Sequence, residues 1–192
     1  FNYFGRMQPR VRAYMDELTE ELLTLGMPVS GFHNEVAPSQ YEFSPIFKLT
    51  NVASDENTLA MEVMEDLAVR HNLAILFHEK PFGGVNGSGK HNNWGLNTDS
   101  GRNLFVPGKT NFEQESFIAM VACLARALHI HGDVIRVGVA TAGNDHRLGA
   151  QEAPPAIISL YTGDSMESHL QKVVDGGPLA GYGQEMTTID FG

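Results

Sequence analysis

The stretch His33-Asn34-Glu35-Val36-Ala37-Pro38-Ser39-Gln40-Tyr41-Glu42 is the most informative part of this chain. It brings two carboxylates and an imidazole close together in the sequence. Glu35 and Glu42 are separated by an odd number of positions, so on one uninterrupted strand their side chains would point to opposite faces. If both contact one ion, the backbone between them must be irregular. Pro38 and Ser39 supply the predicted break, because proline cannot donate a hydrogen bond to a β-ladder.

A second stretch, Asn86-Gly87-Ser88-Gly89-Lys90-His91-Asn92-Asn93-Trp94, is a glycine-rich turn that leads directly to another imidazole. Glycine allows backbone amides to approach a charged ligand closely. Carboxylates combined with a histidine suit hard or borderline divalent ions such as magnesium or manganese. Together the two stretches predict a metal-dependent site for a phosphorylated and carboxylated substrate.

The bulk properties limit the classes of protein that need to be considered. The chain has 192 residues, 42% of them hydrophobic, which is enough for one domain with a hydrophobic core. A net charge of −10 argues against non-specific binding to nucleic acid or to an anionic membrane. The single cysteine, Cys123, excludes a disulfide within the chain and suits a reducing cytoplasm. We find no signal peptide and no uninterrupted apolar run of transmembrane length.

Apolar periodicity predicts four helices. They are expected from Pro9 to Leu25, from Ser54 or Asp55 through Ala68, from Thr110 or Asn111 to near Gly132, and from Asp164 or Ser165 to about Val174. Strands are predicted from Tyr41 to Leu49, from Leu73 to His78, from His91 to Thr98 and from Pro155 to Tyr161. Because strands and helices do not alternate strictly, the pattern favours an α+β fold with an antiparallel or mixed sheet.

Both stretches resemble the glutamine synthetase family, and the form His-Asn-Glu-Val-Ala-Pro-x-Gln-x-Glu is most similar to its type III members. A third stretch, Asn144-Asp145-His146-Arg147-Leu148-Gly149-Ala150-Gln151-Glu152-Ala153-Pro154, is similar to the family's substrate-arginine segment. The three motifs occur in the family's order. The resemblance implies a curved antiparallel sheet backed by helices. It also implies that residues 1–192 are a middle part of the catalytic domain, with upstream and downstream parts missing.

The resemblance assigns metal and ligand roles to individual positions. Three residues match metal ligands of the family, and these are Glu35, Glu42 and His91. Asn86 and Gly87 match residues that contact the amino-acid substrate, while Asn93 and Trp94 fall where the family contacts nucleotide. His33, beside Glu35, is expected to support the metal ligands from outside the coordination sphere.

Two catalytic roles fall on the third stretch. Arg147 matches the arginine that grips the substrate glutamate, and a guanidinium fork is the natural partner of a carboxylate. Glu152 resembles the flap glutamate, which closes over the intermediate and helps to remove a proton from ammonia. The separation between Arg147 and Glu152 is one residue shorter than in the commoner forms.

The resemblance implies an ATP-dependent ligation of ammonia to glutamate, with ATP as co-substrate and two or more Mg²⁺ or Mn²⁺ sites per active site. It implies a homo-oligomer of two stacked six-membered rings when the chain is full length, and an inactive isolated fragment. Two alternatives stay open at this point: a related γ-glutamyl amine ligase, such as one that uses a polyamine, and a catalytically silent homologue. Metal binding by the full-length protein would separate an enzyme from a silent homologue.

Overall fold

The computed structural model describes residues 5–80, 82–139, 160, 162–179 and 181, and they belong to two compact units. The first unit extends to Gly89 and the second begins at Lys90. Among the described residues there are four helices and one antiparallel pair of strands, so the predicted α+β class is confirmed at this level.

The first unit contains helix α1 (Pro9–Thr24), strands β1 (Val29–Asn34) and β2 (Tyr41–Pro45), and helix α2 (Thr50–Arg70). Its core is formed where one face of α1 meets α2 and the inner side of the strand pair. The buried side chains of the two helices are Tyr14, Met15, Leu18, Leu22, Ala60, Leu67 and Ala68. Except for Ala60, these residues belong to the apolar patterns that predict the two helices, although α2 begins at Thr50 and not near Ser54.

Helix α1 ends where the sequence predicts, and the reason is local. Gly26 has a φ of +83°, which costs glycine little. The amide of Gly26 donates to the carbonyl of Leu23 at 3.0 Å, and the amide of Met27 donates to that of Leu22 at 2.8 Å. These two bonds satisfy carbonyls that the helix leaves without partners, in the arrangement known as a Schellman motif.

The second unit contains helices α3 (Asn111–Val139) and α4 (Gly163–Val174). Phe117, Ile118 and Val121 of α3 pack against Met166 of α4. The predicted starts of both helices are confirmed within two residues, but α3 continues beyond the end predicted near Gly132.

A capping box starts α3. The Oε2 atom of Glu113 accepts hydrogen bonds from the amide of Thr110 at 2.9 Å and from the amide of Lys109 at 3.0 Å. In return, the amide of Glu113 donates to the hydroxyl of Thr110. The bonds from the backbone amides of Thr110 and Lys109 stabilise the carboxylate form and lower the pKa of Glu113 to about 2.

Two of the strand predictions are wrong. Residues 73–78 have no strand pairing among the described residues, and residues 91–98 contribute only an isolated bridge between Asn97 and Asn103. The strand predicted from Pro155 to Tyr161 lies outside the described residues except at Leu160. A strand needs a hydrogen-bonding partner, and an apolar run in the sequence does not show whether that partner is present.

The length and apolar character of helix α3 also differ from what the sequence analysis predicts. Between Asn111 and Gly138 it is long and apolar enough to cross a membrane, although we found no such run by inspection of the sequence. This property alone is weak evidence for a membrane location, because core helices of soluble proteins share it.

Candidate metal site and glycine turn

A β-hairpin brings three potential metal ligands together. Strands β1 and β2 are antiparallel, and His33 lies directly opposite Glu42 in their register. Opposed residues of an antiparallel pair place their side chains on the same face. Glu35 follows His33 by two positions, so it continues on that face. One ligand atom from each of His33, Glu35 and Glu42 lies within 4.8 Å of the other two.

The turn between the strands explains how an odd separation still places Glu35 beside Glu42. The amide of Glu35 donates to the carbonyl of Gln40 at 2.9 Å, and the amide of Gln40 donates to the carbonyl of Ala37 at 3.3 Å. Ser39 has a φ of +58°. The backbone break predicted around Pro38 and Ser39 is therefore confirmed, although it takes the form of a hairpin turn between two strands.

The chemistry of this cluster suits a divalent cation. Two carboxylates at this separation repel each other in partly buried surroundings, and a shared cation relieves that repulsion. The side chains of His33 and Glu35 are 25% and 12% exposed, so the ligand atoms are shielded but accessible. Oxygen ligands with one imidazole suit Mg²⁺ or Mn²⁺. The residues of the hairpin thus fit the metal that the sequence implies.

His33 contacts one of the two carboxylates directly. Its Nε2 atom lies 2.9 Å from Oε1 of Glu35. A hydrogen bond of this length limits the rotation of the Glu35 side chain and holds one of its oxygens in place. The expected supporting role of His33 agrees with this contact.

The glycine turn is anchored on the backbone of Glu79. The amide of Ser88 donates to the carbonyl of Glu79 at 3.0 Å. A Cβ atom built on Gly87 would lie 2.6 Å from that carbonyl oxygen and 2.8 Å from Cβ of Lys80. Because the protein's own backbone already fills the space beside Gly87, only glycine fits at this position. Asn86, beside it, is exposed.

Three polar side-chain atoms around this anchor are buried without a hydrogen-bond partner in the described part of the chain. They are Nζ of Lys80, Oγ of Ser88 and Oε1 of Gln40. The Lys80 residue is only 3% exposed. Sequence reasoning missed Lys80, although a lysine between an apolar run and a glycine turn is a signal that could have been noticed.

The other predicted ligands belong to the second unit. His91, Asn93 and Trp94 are exposed residues of the second unit. Trp94 packs edge-to-face against Phe105, with ring centroids 5.3 Å apart. Since Glu35 and Glu42 belong to the first unit, a shared role with His91 stays a prediction.

The third motif, residues 144–154, lies outside the described residues. Both Arg147 and Glu152 lie outside the described residues, and their roles therefore also stay predictions.

Comparison with known proteins identifies relatives over nearly the whole chain. A family model described as glutamine synthetase, catalytic domain, matches residues 3–137. The chain is 50% identical over 187 residues to a glutamine synthetase of Butyrivibrio fibrisolvens, covering 97% of this chain and 27% of that protein. It is 46% identical over 184 residues to a type-3 glutamine synthetase of Dictyostelium discoideum, covering 96% of this chain and 25% of that protein.

A third relative, the glutamine synthetase of Bacteroides fragilis, is 49% identical over 173 residues, which cover 90% of this chain and 24% of that protein. The chain therefore spans about a quarter of the length of these relatives. Because the family model covers well over half of the chain and includes both the hairpin and the glycine turn, this chain belongs to the glutamine synthetase catalytic-domain family.

Proposed function

We propose that the full-length protein containing this chain is a glutamate–ammonia ligase, which uses ATP to join ammonia to glutamate. The observation that carries the proposal is the hairpin cluster of His33, Glu35 and Glu42, which has the donor set and the spacing of a divalent metal site. Membership of the family supports it, as does the similarity to glutamine synthetases of other organisms.

The reaction proceeds in two balanced steps. An oxygen of the γ-carboxylate of glutamate attacks the terminal phosphorus of ATP, and ADP leaves with the electrons of the broken bond. Ammonia then attacks the acyl carbon of the γ-glutamyl phosphate, loses a proton, and displaces inorganic phosphate to leave glutamine. Phosphorylation is needed because a carboxylate oxygen is otherwise too poor a leaving group. A bound divalent ion would neutralise negative charge on the phosphates and on the attacking carboxylate.

Within this scheme Glu35 and Glu42 hold one divalent ion, Mg²⁺ or Mn²⁺, and His33 keeps the Glu35 carboxylate in place through its 2.9 Å contact. His91 contributes to a second ion. Asn86 binds the amino-acid substrate, with the backbone of Gly87 beside it.

The remaining predicted residues complete the proposal. Arg147 pairs with the α-carboxylate of glutamate, and Glu152 closes over the intermediate and accepts the proton that ammonia loses. Asn93 and Trp94 contact the nucleotide. Water must be kept from the acyl phosphate, because hydrolysis would waste ATP.

We propose further that residues 1–192 are a piece of a larger catalytic domain. In that domain the two strands described here extend into a curved antiparallel sheet. The full-length protein would assemble into two stacked six-membered rings and work in the cytoplasm. Sedimentation of the active full-length protein tests the assembly, and a stable active monomer would contradict it.

The activity test uses the full-length protein supplied with glutamate, ATP, ammonium and Mn²⁺. We expect glutamine and inorganic phosphate in equal amounts. Replacing Glu42 by Gln keeps the shape of the side chain but removes the charge. We expect this change to abolish activity at ordinary metal concentrations and to weaken Mn²⁺ binding at least tenfold, which is about 1.4 kcal/mol.

The matched control is Glu65→Gln, which makes the same chemical change at an exposed position of α2 and should leave activity unchanged. Wild-type activity in Glu42→Gln would overturn the metal assignment. Product formation only when ammonium is replaced by a polyamine would identify an amine ligase of different specificity. Metal binding without any product would identify a silent homologue.

A further inference from the structure

One backbone carbonyl joins the metal hairpin to the glycine turn. The side-chain Nε2 atom of Gln40 donates to the carbonyl oxygen of Glu79 at 2.9 Å. The same oxygen accepts the amide of Ser88 at 3.0 Å. A carbonyl oxygen has two lone pairs, so both bonds form together. Gln40 and Ser88 thus share one acceptor, although they are far apart in the sequence.

On the hairpin side, Gln40 is fixed within the turn that carries the ligands. Its carbonyl accepts the amide of Glu35, and its own amide donates to the carbonyl of Ala37, which is itself buried. Tyr41, the next residue, begins β2 and precedes Glu42. A shift of Gln40 therefore displaces the peptide of Glu35 at one end of the turn and the strand of Glu42 at the other.

On the side of the glycine turn, the backbone of Gly87 has no room to move towards the Glu79 carbonyl. Gly87 already packs on the Glu79 carbonyl and on the stem of Lys80. Ser88 is 9% exposed and bonded through its amide. The position of Asn86 is consequently set by where the Glu79–Lys80 peptide lies. The Gln40 amide is a side-chain contact that ties this peptide to the hairpin.

We propose that Gln40 is a positioning residue, which fixes the substrate-binding turn at Asn86 relative to the metal ligands Glu35 and Glu42. This inference rests on the proposed function of the same site. Gln40 does not touch substrate in this scheme; it acts on glutamate through Asn86. Groups that support a binding residue matter because small displacements of that residue weaken its contacts with the ligand.

The first experiment replaces Gln40 by Met in the full-length protein, which keeps the length of the side chain and removes the donor. We expect the Michaelis constant for glutamate to rise at least fivefold, with that for ATP changing less than twofold. Loss of stability alone would not produce this split. The matched control is Gln114→Met, because Gln114 is also a buried glutamine whose side chain binds a backbone group, the amide of Gly181. This control should leave both constants within twofold of wild type.

A double-mutant cycle tests whether Gln40 acts through Asn86. Asn86→Ala should also raise the Michaelis constant for glutamate. If Gln40 works by placing Asn86, the double variant should fall at least threefold short of the product of the two single effects, because coupled residues are not additive. Effects that multiply in full would overturn the proposal, since Gln40 would then act independently of the turn.

If Gln40→Met does not fold, Gln40→Asn provides the same test with a milder change, because the shorter amide does not reach Glu79. The same selective rise for glutamate is expected, but smaller. An unchanged glutamate constant in whichever variant folds would overturn the inference while glutamine formation continues. Absence of glutamine formation in the wild-type protein would instead overturn the proposed function.

Discussion

At the scale of single residues, Ser39 shows that the hairpin of His33, Glu35 and Glu42 is built with some backbone strain. It is one of two described residues other than glycine with a positive φ, and it lies inside the ligand-bearing turn. The left-handed conformation costs most residues about 1–2 kcal/mol, and glycine much less. The strained residue lies in the turn that places Glu35 beside Glu42.

We predict that Ser39→Gly keeps or raises the stability of the full-length protein, by up to about 1 kcal/mol. Ser39→Val should lower stability by about 1 kcal/mol or more, since a β-branched side chain disfavours a positive φ. Thermal unfolding under identical conditions should rank Gly first, Ser next and Val last. Ser44→Val is the control, because Ser44 lies in β2, where valine is favoured. Equal midpoints for the Gly and Val variants of Ser39 would contradict the strain argument.

Lys80 is the second informative residue. Its ammonium is buried and has no hydrogen-bond partner among the described residues. A buried charge without a partner lowers stability, so Lys80→Met should raise the free energy of unfolding by about 1 kcal/mol or more. The control is Lys109→Met at an exposed position. A lower thermal midpoint for Lys80→Met in the full-length protein would show that a residue outside the described part of the chain pairs with the ammonium.

At the scale of elements, the start of α3 carries a pH-dependent contribution. Glu113 has a pKa lowered to about 2 in the folded protein, against an ordinary value of 4.5. Its stabilising effect is therefore fully present above about pH 4.5 and is lost as the pH falls towards 2. Glu113→Gln should lower the thermal midpoint at pH 7, and the difference from wild type should shrink as the pH falls through this window.

The matched control for this helix start is Glu115→Gln, which changes an exposed glutamate of the same helix that does not take part in the capping box. It should have little effect at any pH. If the deficit of Glu113→Gln were as large near pH 2.5 as at pH 7, the charge of Glu113 would not be the stabilising feature.

The elements also show which parts of the fold the sequence could predict. Helices α1 and α4 follow from apolar periodicity and local stop signals, both of which lie within the segment itself. Strand β1 was not predicted, because Ser30 and Gly31 interrupt its apolar pattern and have low β-propensity.

The candidate site could be predicted only in part. The spacing of Glu35 and Glu42 predicts an irregular backbone between them, but it does not predict that His33 pairs with Glu42, because that register depends on the turn. Gln40 and Lys80 acquire their roles only from contacts with distant parts of the chain.

At the scale of the whole molecule, the second half of α3 exposes apolar side chains in a row. Ile130, Val134 and Val137 are 50%, 73% and 76% exposed. Their spacing places them on one face of the helix. We expect this face to be covered in the full-length protein, by residues outside the described part of the chain or by another subunit.

Val134→Asp should therefore lower the thermal midpoint of the full-length protein or reduce its assembly, since a buried unpaired carboxylate is costly. His129→Asp provides a control at another exposed position on a different face of α3. Calorimetry and sedimentation report the two effects. Val134→Asp with wild-type stability and assembly would show that the face stays in water.

The hairpin also has a consequence for how the protein folds. His33, Glu35 and Glu42 lie within ten consecutive residues, so closing the loop between them costs little entropy. Hairpins form in about 1–10 μs, much faster than structures that depend on distant contacts. A two-stranded ribbon alone is only marginally stable in water, and an ion held across its strands would favour the folded form. Divalent ions should thus speed the refolding of the full-length protein as well as activate it, and Glu42→Gln should remove that acceleration in stopped-flow refolding.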